Sequence, residues 1–390
     1  MTAATKDATR TIIIGVTSDV SLGFHEGVPE ELSRNGWDVH LVSAAGPALA
    51  SMAQASGAQA HAIEMKREPS PILDLRALSK WCRLIRVVKP GVVLLGTPKG
   101  SLLGMIASRL GGTPRRIYFM LGLRLETSRG LRRQLLWLFE WMTCRLATDV
   151  LAVSSSLRHA AINAGVVKSD KIAVLGRGSA NGIDLTRFTH SRSSAAIKSL
   201  RLSLGLDEDL PTIGFVGRIV SDKGLKILAR ALSILADRSV EAQVLVVGAS
   251  ESKESANLLS KLNATGLSVV YAGPVADTSP YFALMDVFCL PSKREGLGLV
   301  LIEAMASRVP VVATRITGIV DVVDHRVTGF LVDPYDESAL ADALQEALCQ
   351  TDMLRKMVDD AHDMVSREFD RPSVQRRLIR YILLQAPVPK

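Results

Sequence analysis

Short apolar runs alternate with longer amphipathic stretches along most of the chain. In the first half the apolar runs have the length of buried strands, and helical spacing of apolar residues fills the gaps between them. The predicted strands are residues 12–16, 38–43, 92–96, 117–120 and 150–153, and the predicted helices are residues 27–35, 73–88, 101–110, 131–147 and 155–164. Alternation of this kind is typical of parallel sheets built from βαβ units, which places the protein in the α/β class.

A turn-rich segment at 178–184 and a polar, helical stretch at 191–209 interrupt this series. Pro211 then opens a second one, with predicted strands at residues 212–216, 244–247, 269–271, 287–290, 309–313 and 330–332. We therefore predict two Rossmann-like domains, an N-terminal one over residues 1–190 and a C-terminal one over residues 191–371. The remainder, 372–390, is predicted to form a helix that packs back on the N-terminal domain, because a proline opens it.

Bulk composition is that of a globular protein with two cores. A chain of 390 residues with 47% hydrophobic and 22% charged residues excludes wholesale disorder. The four cysteines lie far apart and form no C-x-x-C pair, so neither a zinc site nor a disulfide framework is expected. The first apolar run is shorter than the core of a secretory signal, and no run is long enough for a spanning helix. We expect a cytoplasmic protein.

Positive charge is concentrated in the first half. Residues 1–190 hold 24 Lys and Arg against 14 Asp and Glu, whereas residues 191–390 hold 23 against 25. A basic half suits an anionic membrane surface, a lipid pyrophosphate or a nucleic acid, although it also fits a solvated surface without a partner. No nucleic-acid recognition motif accompanies the charge, so we expect no nucleic-acid partner.

Two glutamates surround a predicted helix start after the strand at 287–290. Glu295 lies in the loop, and Glu303 lies inside a helix that begins near Leu297 or Gly298. A helix that starts after a glycine loop presents free N–H groups and positive partial charge, which suits a diphosphate. The glutamates are then placed to contact a sugar ring and a ribose. Two glutamates at this spacing also occur by chance.

Two cations flank the turn after the strand at 212–216. Arg218 and Lys223 lie on either side of a short loop at the carboxyl edge of the sheet, where open α/β sheets bind ligands. Directed at one diphosphate, two cations can neutralise the leaving group as a metal ion would. The alternative is an ordinary exposed Arg and Lys in a βα turn.

Together and in this order, these motifs resemble the retaining glycosyltransferases of family 4. The resemblance rests on segments 217–224, 295–303 and 315–332, with Gly318 at a tight turn, and extends to 181–184 and Phe188. It implies the GT-B fold, in which the parallel sheets of two Rossmann-like domains face each other across a cleft. It also implies a nucleotide-sugar donor, most commonly a UDP-sugar, and no metal or cofactor.

The resemblance also assigns roles to residues of the second half. Arg218 and Lys223 correspond to residues that bind the donor pyrophosphate and support catalysis. Glu295 corresponds to a residue at the donor sugar and is, with the two cations, a candidate catalytic residue. Glu303 corresponds to a residue that holds the ribose hydroxyls. The other implied donor contacts surround the loops and the helix start, at Gly217, Gly296, Leu297, Gly298, Leu299 and Val300.

The first half matches the family more loosely. Its first loop has only Gly23 and Gly27 after Gly15, and many relatives carry a His-Gly pair where this chain has Leu121-Gly122. The segment 121–127 is more similar to that of relatives that extend lipid-linked oligosaccharides.

Three residues of this half are acceptor candidates. Arg124 and Glu126 are candidates for acceptor contact or proton handling, with a surface salt bridge as the alternative. His25, in the first loop, is the third candidate. A histidine that only forms hydrogen bonds within the protein is its alternative.

The predicted helix 131–147 permits two interpretations. Leucines at 131, 135, 138 and 146 form an apolar stripe together with Met142. Trp137 and Trp141 lie beside this stripe, and Arg129, Arg132 and Arg133 cluster at the start of the helix. Such a helix can lie on an anionic bilayer with its tryptophans at the headgroups. It can also be a core helix with a basic first turn. The basic first half favours peripheral association with the inner face of the membrane.

The sequence therefore predicts a transferase that moves a hexose or N-acetylhexosamine to a hydroxyl of a glycan acceptor in cell-surface polysaccharide synthesis. A polyprenyl-diphosphate-linked glycan is the acceptor that segment 121–127 favours. Two alternatives remain at this point: a UDP-sugar epimerase of GT-B-like architecture and a non-catalytic transferase subunit. A nicotinamide dehydrogenase is disfavoured because the first loop has no G-x-G-x-x-G.

Overall fold

The computed structural model describes residues 10–66, 70–250, 252–349 and 351–384. They form two compact units. The first combines the chain up to Asn181 with the segment from Pro372 onward, and the second is Gly182–Arg371. Each unit is built around one parallel sheet, so the predicted α/β class with two Rossmann-like domains is confirmed.

In the first unit, seven strands alternate with helices. The strands are β1 Thr11–Gly15, β2 Asp38–Ser43, β3 Gln59–Ala62, β4 Val92–Gly96, β5 Arg115–Met120, β6 Asp149–Ala152 and β7 Ile172–Ala173. The helices are α1 Val28–Arg34, α2 Pro47–Ser56, α3 Pro71–Val88, α4 Pro98–Leu110, α5 Gly130–Leu146 and α6 Ser155–Asn163. The sheet order is β3-β2-β1-β4-β5-β6-β7, and all pairs are parallel.

The second unit repeats this plan with six strands. They are β8 Thr212–Val216, β9 Gln243–Val247, β10 Ser268–Gly273, β11 Val287–Leu290, β12 Val311–Thr314 and β13 Phe330–Val332, in the order β10-β9-β8-β11-β12-β13. The helices are α7 Ala195–Leu204, α8 Leu225–Asp237, α9 Lys253–Asn263, α10 Ser279–Phe282, α11 Leu299–Ala306, α12 Glu337–Leu348 and α13 Asp352–Glu368. The last helix of the chain is α14 Arg371–Leu384.

The central strands are aliphatic because both of their faces are covered. Ile12, Ile13 and Ile14 of β1 are completely buried although neighbouring residues of a strand point to opposite faces. In both sheets the strand order reverses direction beside the first strand of the unit, between β1 and β4 and between β8 and β11. Ligands of open α/β sheets bind at the carboxyl ends of the strands at such a reversal.

The last helix completes the first unit. The buried guanidinium of Arg115, on β5, donates to the carbonyl oxygens of Ile382 at 2.7 Å and Tyr381 at 3.1 Å. At the other end, Ile183 belongs to the second unit, because its N–H donates to the Phe369 carbonyl and its own carbonyl accepts from Arg371 N–H, both at 2.9 Å. The second unit therefore begins before the boundary at residue 190 that the sequence suggests.

Most predicted elements lie within a few residues of the observed ones. The stretch expected to be helical at 191–209 contains the shorter helix α7. Strands β3 and β7 and helices α2, α9, α10, α12 and α13 were not predicted. β3 is mostly exposed and carries little apolar pattern, which explains why periodicity does not detect it.

Candidate active site

Two loops meet at the reversal between β8 and β11. One follows β8 and runs from Gly217 to Gly224, and the other follows β11 from Pro291 onward. The Lys293 N–H donates to the Asp222 carbonyl at 2.8 Å. A Cβ on Gly224 would lie 1.8 Å from the Pro291 carbonyl oxygen, so only glycine allows the loops to come this close.

Side chains also connect these loops. The Lys223 ammonium lies 2.6 Å from Glu295 Oε1, and the Ser292 hydroxyl donates to the same oxygen at 2.7 Å. Arg294 forms a second ion pair, 2.9 Å from Asp222. Lys223 and Glu295 are both mostly buried, with 19% and 13% of their side chains exposed. The structure thus brings together two of the residues that the sequence singles out.

Arg218 occupies a different environment beside them. Its side chain is exposed, and it forms no hydrogen bond or ion pair with any residue that the structure describes. A Cβ on Gly217 would lie 3.9 Å from Lys223 Cε, which places the lysine stem next to the residue that precedes Arg218. Of the two cations that the sequence singles out, Lys223 is therefore held by a carboxylate and Arg218 is open to solvent.

The helix start that the sequence predicts is α11. Gly298 is its N-cap, with a φ of 72° and no side chain to cap the helix, so the first-turn N–H groups at Leu299 and Val300 have no intrahelical acceptor. The third motif supports this start: a Cβ on Gly318 would lie 2.6 Å from the carbonyl carbon and oxygen of Gly296. The Thr314 hydroxyl donates to the Ser292 carbonyl from the neighbouring strand end. All three motifs meet here.

Glu303 lies one turn into α11 and is half-buried. Its carboxylate has no hydrogen-bond partner among the described residues. Burial raises the pKa of Glu303 to about 7, opposed by the nearby charge of Arg187 and reinforced by that of Asp277. A carboxylate in this state is available to hydroxyl groups of a ligand.

The acceptor candidates lie at the carboxyl edge of the first sheet. Arg124 and Glu126 are exposed in a 3-10 turn after β5. His25 is completely buried at the end of a 3-10 turn after β1, 5.7 Å from the Phe119 ring, and neither ring nitrogen has a partner among the described residues. Burial lowers its pKa to about 4, so the imidazole is neutral at physiological pH. A Cβ on Gly96 would lie 3.6 Å from His25 Nε2.

A threonine pair at this edge was missed by sequence reasoning. The Thr17 N–H donates to Thr97 Oγ1 at 2.9 Å, and Gly100 N–H donates to Thr17 Oγ1 at 3.0 Å. Thr97 has a φ of 70°, a strained value for a β-branched residue, and strain of this kind is concentrated at functional sites. Its only sequence signal is the polar residue directly after β4.

Helix α5 is exposed along much of its apolar stripe. Leu131 is 84% exposed, and Leu135, Leu138, Trp137 and Trp141 are also exposed. The opposite side is buried, where Glu140 accepts a 2.8 Å hydrogen bond from the Tyr118 hydroxyl. The helix thus packs in the first unit by one side only, and its basic start at 129–133 is solvent-exposed.

No group of three or more His, Cys, Asp or Glu side chains in residues 10–66, 70–250, 252–349 and 351–384 is arranged to hold a metal ion. No helix in that part of the chain has the length and hydropathy needed to cross a bilayer.

Comparison with known proteins identifies the family of the chain. Residues 210–350 match the family described as glycosyl transferases group 1, and residues 27–178 match the glycosyl transferase 4-like domain. The capsular polysaccharide biosynthesis glycosyltransferase CapM of Staphylococcus aureus is 38% identical over 344 residues, 88% of each chain. The chain belongs to this glycosyltransferase family. This membership decides against the epimerase alternative.

Solved structures show the fold of the glycosyltransferase. A glycosyltransferase from Rickettsia africae superposes with a TM-score of 0.78 at 19% identity, over 96% of this chain and 99% of that one. HepE of Anabaena, solved in complex with UDP-glucose, has a TM-score of 0.78 at 20% identity, over 95% and 99% of the two chains. The expected GT-B fold is confirmed.

Proposed function

We propose that the second unit holds a nucleotide diphosphate sugar at the reversal between β8 and β11. Arg218 and Lys223 bind the diphosphate together with the N–H groups at the start of α11, and Glu295 contacts the sugar. Glu303 accepts hydrogen bonds from the ribose hydroxyls. The observation that carries this proposal is the 2.6 Å contact between Lys223 and Glu295, with the exposed Arg218 beside it.

In the proposed reaction the bond between the anomeric carbon and the diphosphate oxygen breaks. Negative charge grows on the departing diphosphate, and fixed cations and helix N–H groups stabilise it without a metal ion. The acceptor hydroxyl forms the new bond to the anomeric carbon, and its proton passes to the diphosphate. We propose retention of anomeric configuration by attack on the same face, as the family resemblance implies.

The donor is proposed to be a UDP-hexose or a UDP-N-acetylhexosamine. Support comes from the structural similarity to HepE, whose crystals contain UDP-glucose. The acceptor is proposed to be a hydroxyl of a glycan in cell-surface polysaccharide synthesis, because CapM carries that assignment in its name and covers most of the chain. Arg124 and Glu126, which are exposed, are proposed to face this acceptor, whereas the side chain of His25 is completely buried.

We further propose that the acceptor is lipid-linked and that the protein lies on the inner face of the membrane. The exposed leucines and tryptophans of α5 offer apolar area, and the arginines at 129, 132 and 133 offer charge to anionic headgroups. The excess of Lys and Arg in residues 1–190 supports the same partner.

A donor screen tests the proposal. Thermal unfolding is followed with UDP-, GDP- and ADP-sugars, because a ligand of the native state raises the transition temperature by mass action. We expect a UDP-sugar to stabilise wild type and to stabilise Lys223→Met much less. Transfer should continue in excess EDTA. Stabilisation by no nucleotide sugar, or complete metal-reversible loss of transfer, would contradict the proposal.

A further inference from the structure

Arg187 lies next to the proposed donor site without belonging to any motif that the sequence singles out. It is in the 3-10 turn Leu185–Phe188, which contacts α10 and α11. The Phe188 ring lies 6.2 Å from the Phe282 ring and anchors the turn there. The Arg187 guanidinium lies 2.8 Å from Asp277 Oδ1, and the same oxygen accepts from Ser279 N–H at 3.0 Å.

The charge of Arg187 also acts on Glu303, in addition to Asp277 and Asp184. The arginine favours the ionised form of Glu303, Asp277 disfavours it, and burial holds the pKa of Glu303 at about 7. Strands β11 and β12 bring no charged side chain to α11, and α10 brings none either. From α13, Asp359 and His362 bond to Arg308, beyond the end of α11. Arg187 and Asp277 are therefore the charges that face Glu303.

We propose that Arg187 is a positioning residue of the donor site, which favours the ionised form of Glu303 for the ribose diol, while Asp277 competes for the same guanidinium. The proposal rests on the ribose contact of Glu303 proposed above. An ionised carboxylate accepts hydrogen bonds from both ribose hydroxyls, whereas a protonated one must donate at one oxygen. Donor affinity then depends on the ionised fraction of Glu303, which Arg187 increases and Asp277 decreases.

The test measures the Kd of a nucleotide sugar by calorimetry between about pH 5.5 and pH 8.5. This range extends to both sides of the raised pKa of Glu303. UDP-, GDP- and ADP-glucose serve as probes, because all three carry the ribose diol and none has a diphosphate that titrates in this range. Wild type should bind about tenfold more weakly at pH 6 than at pH 8, as expected for a carboxyl with a pKa of about 7 that must be ionised.

The two charge changes should act in opposite directions. Arg187→Gln should weaken binding about fivefold at pH 7 and move the transition to higher pH, since an opposite charge has been removed. Asp277→Asn should tighten binding about fivefold at pH 6, because a like charge is lost and Arg187 is released. Arg187→Lys retains the positive charge, so its pH dependence of donor binding should be close to that of wild type. Such a result also shows that the turn tolerates substitution.

Matched controls separate this proposal from the proposed function. The control variant Arg192→Gln breaks a similar ion pair, in which Arg192 lies 2.6 Å from Asp286. Asp286 precedes β11, at the opposite edge of the sheet, so this variant should leave the pH dependence of donor binding unchanged. Glu303→Gln and a 2′-deoxyribose probe should each remove the pH dependence. If Glu303→Gln binds as wild type does at every pH, the ribose contact is wrong. If Glu303→Gln removes the dependence but Arg187→Gln does not move it, or if both charge changes act in the same direction, the role of Arg187 is wrong.

Discussion

The ammonium of Lys223 and the carboxylate of Glu295 lie 2.6 Å apart, although 72 positions separate them in the chain. This ion pair connects the loop after β8 to the loop after β11, and the Ser292 hydroxyl shares its acceptor oxygen. Before a donor binds, the charge of Lys223 is therefore already compensated. In the proposed donor complex, the diphosphate shares the ammonium with Glu295, whereas Arg218, which has no partner among the described residues, can bind it without breaking an ion pair.

Removing either cation should slow transfer. Lys223→Met and Arg218→Gln should each lower kcat by about a hundredfold, on the order of 3 kcal/mol, because charge on the leaving diphosphate loses a fixed partner. Initial rates with saturating donor measure this. Lys226→Met, on the exposed side of α8, is the matched control and should transfer at the wild-type rate. Wild-type kcat in both cation variants would remove these residues from the mechanism.

A methyl group at Gly318 should disturb the loop that precedes α11. Gly318→Ala combines a backbone penalty of about 1 kcal/mol at a φ of 82° with a contact of 2.6 Å to the Gly296 backbone. We expect donor KM to rise at least several-fold. Gly205→Ala has a similar positive φ of 69° but no neighbour within 4 Å, so it should lose stability and keep its KM. Equal kinetics in the two variants would show that the contact at Gly318 is unimportant.

Glu140 should make the first unit less stable as pH rises. Burial raises its pKa to about 7 in the folded protein from 4.5, so the native state holds this proton more tightly than the unfolded state does. Stability is then lost between about pH 4.5 and pH 7 and stays low above that range. Glu140→Gln should recover on the order of 2 to 3 kcal/mol at pH 8 and nothing at pH 4, because its amide oxygen can still accept from Tyr118.

Denaturant unfolding at both pH values measures this effect of Glu140. Asp170→Asn, an exposed change in the same unit, is the control and should leave the free energy of unfolding unchanged at either pH. A Glu140→Gln protein that is less stable than wild type at pH 8 would mean that the ionised carboxylate is satisfied in the fold.

The exposed face of α5 should bind anionic vesicles. Co-sedimentation with vesicles that contain phosphatidylglycerol should exceed that with pure phosphatidylcholine, and added salt should weaken it. Arg132→Gln with Arg133→Gln should remove about 1 kcal/mol per charge, whereas Leu131→Ser with Leu135→Ser should weaken binding at every salt concentration. Leu202→Ser, at an exposed leucine of α7, is the control. Equal recovery with both lipids, or no loss in either double variant, would contradict membrane docking.

The sequence predicts the sheets well because their central strands are buried on both faces. Such strands are continuous aliphatic runs, a pattern that few other structures need. Strands β2, β4, β8, β11 and β13 have the observed bounds in the prediction. Helices α12 and α13 were not predicted, although their buried residues recur at helical spacing. Strand β3 could not be found, since its register depends on β2 rather than on its own composition.

The sequence predicts which residues of the candidate site lie near one another, but it does not predict the contacts that hold the two loops together. The order of the motifs identifies Lys223, Glu295 and Arg218 as neighbours at one sheet edge. The roles of Ser292 and Asp222 depend on how closely two loops approach, and that distance is set by Gly224 against Pro291 rather than by a local pattern. His25 illustrates the opposite error, because a loop histidine looks accessible in sequence and is completely buried in the fold.

The chain passes between the units twice, after Asn181 and again before Pro372. During synthesis the second unit consequently has all of its residues before the first unit has its last helix. The segment that carries Tyr381 and Ile382 must leave the ribosome before Arg115 can bond to their carbonyls. The first unit is thus completed only after the second unit has been synthesised, and a nascent chain that stops short of α14 leaves an unfinished sheet face exposed to chaperones and proteases.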